Sequence, residues 1–321
     1  MNQKSLRCSH PLQEVDGLGD TALMNDVAEI YQQVRCLKDL QDIGVSPSLA
    51  STRFRSGDYT KIKQGIYVET SIWNQWSTRQ RCLAHHAAHI KTVPSGVLSH
   101  QSAALWLGAP LLTLPHKVHM SFASASVQHR PSVTAHRGRT DVVREARLVV
   151  GASVAAPGHT LRDVALSLPR VEALVIGDYF LRQGVISVAS ARAALAEAGG
   201  AALAVGQRLS ALADSPAETI ARDLIYEWNL PLPQEQFEVF THYGRVYRAD
   251  FAWPELGVIL EVDGEVKYSG VYGRADDVVQ TEHRRHRELE MAGWKVVRTR
   301  CKELMSHPAT LRQRLWEAGV R

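Results

Sequence analysis

One stretch restricts the folds open to this chain more than any other: Arg248 to Tyr268, RADFAWPELGVILEVDGEVKY. Val258-Ile259-Leu260 is a strongly β-forming run that passes straight into Glu261-Val262-Asp263-Gly264. Upstream, Val246 to Ala249 leads into Asp250, and Pro254, Glu255 and Gly257 then break the pattern. Side chains alternate along a strand, so Glu261 and Asp263 share a face. A neighbouring strand carrying Asp250 brings a third carboxylate to that face. Three such groups repel one another and are costly to desolvate. A hard divalent cation removes the cost, since Mg²⁺ takes one or two carboxylates plus water. Lys267, four residues beyond Asp263, adds a positive charge. The pattern predicts a metal-dependent phosphodiesterase site. Asp250, Glu261 and Asp263 are its expected Mg²⁺ (or Mn²⁺) ligands, and Lys267 is expected at the scissile phosphate.

Around this stretch the element order reads as helix Ala217–Trp228, strands Gln236–Thr241, Val246–Ala252 and Val258–Val262, helix Asp276–Ala292, strand Trp294–Thr299, and a last helix from Pro308. Asp214-Ser215-Pro216 starts the first helix and Tyr243-Gly244 turns the first hairpin. Asp250…Glu261-x-Asp263-Gly264-x-x-Lys267-Tyr268 resembles the PD-(D/E)xK nuclease superfamily, and more narrowly a family related to very-short-patch-repair endonucleases. The resemblance covers Ala217 to Trp316. It implies a restriction-endonuclease-like αβββαβ core, with Glu218 on the leading helix as a further catalytic carboxylate. Asp263 stands where the superfamily usually has lysine, so Lys267 is the expected replacement. Arg284, Arg285, Arg287, Lys295, Arg298 and Arg300 are candidate phosphate contacts, and Glu282 a flanking acid.

The charge is unevenly spread. From residue 214 onward there are 15 Lys and Arg against 18 Asp and Glu, whereas the preceding residues hold 22 against 15, for a chain total of +4. The attraction for a polyanion therefore sits in the front of the chain. No apolar run approaches the ~20 residues of a membrane helix. The first twenty residues show no apolar leader region, and Cys8, Cys36, Cys82 and Cys301 form no CxxC pair. We expect a cytoplasmic protein without a membrane segment, a secretory signal or a cysteine-bound zinc.

Residues 1–20 read as a flexible N-terminus. Leu23, Val27, Ile30, Tyr31 and Val34 then recur at helical period. A second helix is expected over Cys36–Ile43, ended by Gly44, and a third from Ser46-Pro47 to a C-terminal Gly57. Tyr59–Lys63 and Ile66–Val68 read as a hairpin turned at Gln64-Gly65. Three helices and a hairpin over 21–70 predict a winged helix-turn-helix. Arg53 and Arg55 would lie late on the recognition helix, with Lys61 and Lys63 on one face of the wing. The run DIGVSPSLASTRFRSGDYTKIKQGIYV resembles the N-terminal domain of AbiEi-type antitoxins of bacterial abortive-infection systems. That resemblance implies a transcription-regulating, double-stranded-DNA-binding domain. A cognate toxin or self-association is a partner consistent with it.

Residues 71–213 form a middle α/β domain, and VLSHQSAALWLGAP and GHTLRDVALSL resemble the middle region of the same family. Trp73–Ile90 reads as helix, Lys117–Phe122 and Val133–His136 as strands, and His159–Leu212 as mostly helical. His85 and His89 share a helix face but lack the glutamate of an HExxH zinc motif. Ser99 reads as the N-cap of the helix from His100, and Thr160 and Asp163 as capping groups at a helix start. The chain is thus expected to be a multidomain α+β protein: flexible terminus 1–20, winged helix 21–70, middle domain 71–213, nuclease-like domain 214–321. Two functions fit this reading. One is a DNA-binding, Mg²⁺-dependent endonuclease acting in phage defence or repair. The other is a non-catalytic transcriptional regulator that uses the nuclease-like domain as a scaffold.

Overall fold

The computed structural model describes residues 22–93, 95–126, 130–241, 244–263 and 275–321, with backbone alone for 22–24 and 275–282. The expected flexible terminus, Lys267 and the Glu282 side chain fall outside what is described. The protein is a mixed α+β chain that divides into two compact units. One comprises residues up to Ile176 with Gln183–Gly206, the other Gly177–Arg182 with Gln207–Arg321.

The first unit opens with α1 (Ala22–Gln33), β1 (Arg35–Cys36), α2 (Leu37–Asp42), α3 (Pro47–Ser56), β2 (Tyr59–Lys63) and β3 (Ile66–Glu69). Cys36, expected inside the second helix, instead forms a two-residue strand with Arg35 and caps α2. Ser46 caps α3 by accepting from Leu49 N–H at 3.2 Å, a contact worth about 1 kcal/mol. Pro47 follows at the first helical position, and Gly57 ends the helix in the left-handed conformation at φ 86°. The three strands form an antiparallel sheet in the order β1-β3-β2. Leu40, Val45, Ala50, Tyr59 and Tyr67 make a small core between helices and sheet.

The sequence then gives α4 (Thr70–Gln75) and α5 (Thr78–Ile90), where one helix was expected. The break has a local cause: Ser77 and Gln80 form a reciprocal capping box that restarts the helix. Beyond it lies a five-stranded sheet, with β4 (Val97–Leu98), β5 (Val118–Ser121), β6 (Val133–His136), β7 (Arg147–Val149) and β8 (Ala152–Val154) in the order β6-β5-β4-β8-β7. The helices of this region are α6 (His100–Trp106), α7 (Thr140–Arg144), α8 (Pro157–Ser167), α9 (Arg170–Arg182), α10 (Val188–Ala198) and α11 (Gly200–Arg208). Helix α8 packs on α6 and α10. Trp106, wholly buried, donates its indole N–H to Val149 O at 3.0 Å. β7 and β8 turn through Val150 and Gly151, both at positive φ (42° and 72°), as a two-residue hairpin with right-twisted strands requires.

The second unit contains α12 (Pro216–Glu227), β9 (Gln234–Phe240), β10 (Val246–Trp253), β11 (Val258–Asp263), α13 (Ala275–Met291), β12 (Lys295–Arg300), α14 (Cys301–Ser306) and α15 (Pro308–Ala318). The sheet order is β12-β11-β10-β9. β9, β10 and β11 are antiparallel neighbours, and β12 joins β11 in parallel after the α13 crossover. Val239, Ala249, Ala252, Ile259 and Leu289 cluster against Phe237, Tyr247, Trp294 and Val296. The segment Gly177–Arg182 belongs to this unit through Asp178. Its carboxylate accepts from Ser210 N–H (2.9 Å), from the Thr219 hydroxyl (2.8 Å) and from Arg222.

Candidate functional site

The acidic stretch sits on β10 and β11. The register pairs Phe251 with Leu260. One residue further along each strand, Asp250 and Glu261 both turn to the face opposite Phe251 and Leu260, and Asp263 follows Glu261 there by alternation. Asp250 accepts from Val262 N–H at 2.7 Å across the strand pair. Glu218, the fourth residue of the loop-to-helix entry Ser215–Glu218, is 5% exposed and densely held. Its oxygens accept from Asp214 N–H (2.9 Å), the Ser215 hydroxyl (2.8 Å) and Gln236 Nε2 (2.8 Å). Burial, and after it the negative charge of Asp250, lifts the Glu218 carboxyl above the usual carboxylate range. Gln236, which falls between the residues of β9 paired with Ala249 and Phe251, has φ 54°. A non-glycine residue in that region carries strain of order 1–3 kcal/mol. It sits where it donates to Glu218, beside Asp250.

Glu261 is held differently from the expectation. Its two oxygens face guanidinium groups: Oε1 lies 2.7 Å from Arg285 on α13, and Oε2 lies 2.9 Å from Arg298 on β12, its direct register partner. The carboxylate is 6% exposed, so a positive partner is obligatory. Arg285 also donates to Arg248 O at 2.8 Å. These two arginines, read from sequence as phosphate contacts, are thus engaged with the acid. Lys295 donates to Ala318 O, away from that role. Among the described residues, Asp250, Glu261 and Asp263 do not close to the spacing at which three side chains share one ion.

On the first unit, Arg53 and Arg55 lie on α3, as the sequence indicates. Arg53 is half-buried, donating to Tyr59 Oη at 3.0 Å, while Arg55 is exposed. Lys61 is exposed and stands over the Phe54 ring, 5.0 Å from its centroid. Lys63 goes elsewhere. The β2–β3 register shifts between Lys61 and Lys63, so the two-residue alternation that would give them one face is interrupted. Lys63 donates to Thr92 Oγ1 at 2.9 Å, and burial followed by the Arg130 charge lowers its pKa.

Two expectations in the middle region fail on local geometry. The Ser99 side chain makes no cap to α6; its hydroxyl meets His100 Nδ1 at 3.1 Å instead. Asp163 is in the middle of α8, not at its start, and is 5% exposed, with Oδ1 on Arg139 at 3.0 Å. Thr160 donates back to Ala155 O. His85 and His89 form no paired ligand set: His89 meets Ser132 Oγ at 2.7 Å and the His85 carbonyl at 2.7 Å.

No family model matches the chain. Two uncharacterized proteins of Mycobacterium tuberculosis, MT2308 of strain CDC 1551 and Rv2248 of strain H37Rv, are each 28% identical over 172 residues. The match spans 52% of this chain and 62% of each relative's length. The crystal structure of the Rv2827c protein from Mycobacterium tuberculosis aligns at TM-score 0.34 and 16% identity, covering 63% of this chain and 80% of that one. No helix among the described residues is long and apolar enough to cross a membrane.

Proposed function

We propose that this chain binds double-stranded DNA through its first unit and cleaves phosphodiester bonds with Mg²⁺ or Mn²⁺ in its second. The observation that carries the reading is the register of β10 on β11, which sets Asp250 and Glu261 on one face with Glu218 coupled to Asp250. The αβββαβ order of the second unit supports a restriction-endonuclease-like core, and the order α1-β1-α2-α3-β2-β3 with sheet β1-β3-β2 supports a winged helix. Asp250 and Glu261 are the proposed metal ligands, Asp263 a water-orienting group, and Glu218 the group that tunes Asp250. The ion supplies a water of lowered pKa and neutralises charge building on the phosphate. Arg285 and Arg298 neutralise the Glu261 charge, and a metal held by Asp250 and Glu261 would take over part of that role.

A second reading is favoured by that same grip. A carboxylate with a guanidinium on each oxygen is already neutralised, and a nuclease-like domain serving only as a scaffold suits an AbiEi-like regulator, with or without a cognate toxin. Supercoiled plasmid with Mg²⁺ or Mn²⁺ separates the two. Nicking by the wild-type chain that falls at least 100-fold in Asp250→Asn supports the enzyme. Equal inactivity of both, with intact DNA binding, removes hydrolysis and leaves the regulator.

A further inference from the structure

His100, His119 and His136 come from three elements and offer ring nitrogens that all lie within 4.8 Å of one another. His100 opens α6, with only Ser99 between it and β4. His119 is on β5, and its register partner on parallel β6 is Thr134, so His136, two residues further, turns to the same face. His119 Nδ1 and His136 Nε2 stand 3.2 Å apart. Two nitrogens each ~2.0–2.1 Å from one tetrahedral ion stand about 3.3–3.4 Å apart, so this pair is already near ligand spacing. The His100 and His136 rings stack at 3.7 Å between centroids and 14° between planes. His100 holds φ 53°, a backbone state uncommon for a non-glycine residue.

A buried carboxylate lies behind this cluster. Asp163 Oδ2 is buried, has no hydrogen-bond partner, and lies 3.5 Å from His100 Nδ1. Its other oxygen serves Arg139 and faces Arg162 at 3.6 Å. Neutral rings have lone pairs to give, and a carboxylate behind a ligating histidine fixes its tautomer and strengthens it as a donor.

We propose that His100, His119 and His136 form a binding site for a divalent transition metal of the zinc class, with Asp163 supporting His100 and the fourth position open to water or an external ligand. Three imidazoles and an open position suit such an ion and not Mg²⁺, which prefers oxygen. The in-plane lone pairs of two stacked rings do not converge. A shared ion would therefore require the His100 ring to leave its stacked position on His136. The three histidines and Asp163 all belong to the first unit.

The test is titration of the full chain, stripped of metal by chelator, with Co²⁺ followed by visible absorption, then displacement by Zn²⁺. A four-coordinate Co²⁺ spectrum that saturates at one equivalent, is displaced by Zn²⁺ and is untouched by excess Mg²⁺, is expected. His119→Gln and His136→Gln should each weaken binding at least 100-fold, and Asp163→Asn about 10- to 100-fold. His85→Gln should change nothing. Circular dichroism establishes that each variant folds. For the unaltered protein, X-ray absorption of the zinc-loaded chain should show a nitrogen shell near ~2.0–2.1 Å. Failure of the wild type to take up Co²⁺ or Zn²⁺ at micromolar concentration overturns the proposal. So does binding that persists undiminished in His119→Gln/His136→Gln.

Discussion

At the scale of single residues, one side chain of the acidic site also holds two arginines in place. Glu261 separates two guanidinium groups, and Glu261→Ala leaves Arg285 and Arg298 facing each other beside a buried gap. Breaking a buried pair costs about 3–5 kcal/mol, and the partial exposure of both arginines reduces that to about 2–3 kcal/mol here. Urea denaturation of the variant checks the figure. His86 gives a second expectation. It is buried and neutral, with Nδ1–H donating to Cys82 O at 2.8 Å and Nε2 meeting the Ser102 hydroxyl at 2.8 Å, and burial lowers its pKa to about 4. The unfolded chain binds this proton below about pH 6.5 while the native state refuses it until about pH 4. Stability from this group is therefore complete above pH 6.5 and lost as pH falls towards 4, by about 2 kcal/mol at pH 5. Thermal melts from pH 7 to pH 5 should show a shallower decline in His86→Gln than in wild type. A parallel decline would remove His86 from the account.

At the scale of elements, α3 and β2 divide the basic residues unevenly. Arg55 and Lys61 are exposed, whereas Lys63 is tied to Thr92. Arg55→Ala and Lys61→Ala should each reduce the salt dependence of DNA binding by about one unit of slope, and Lys63→Ala by much less. Equal slopes for all three would take this face out of the interface. The β7–β8 hairpin carries its own test. A methyl group on Gly151 would meet the Tyr31 ring at 2.4 Å, and φ is 72° there, so Gly151→Ala should cost about 2 kcal/mol in chemical denaturation. What the sequence disclosed follows the same logic of length and periodicity. α3 announced itself through Ser46-Pro47 and Gly57, and β10 and β11 through their apolar runs. β1, β4, β7 and β8 have two or three residues each, too few for alternation to register. The Lys61–Lys63 register shift is likewise invisible, because a bulge depends on the partner strand. The paired arginines on Glu261 come from residues 24 and 37 positions downstream, a distance at which spacing carries no signal. Asp163 lies beyond capping reach because α8 begins at Pro157, six residues before it.

At the scale of the whole chain, the front residues carry the excess of basic charge and the residues from 214 onward the excess of acid. That division is the one expected if the proposed function holds, with a polyanion attracted to the front residues and a cation to the acidic ones. The hydrolytic reading stands on whether Asp250 and Glu261 take up that metal. Mn²⁺ titration calorimetry decides this most directly, performed on the full chain in a His119→Gln/His136→Gln background that silences the histidine cluster. Asn at position 250 keeps an acceptor for Val262 N–H and removes the charge. The account expects a saturable Mn²⁺ isotherm that disappears in Asp250→Asn. An isotherm identical with and without the Asp250 charge, or no isotherm at all, contradicts it.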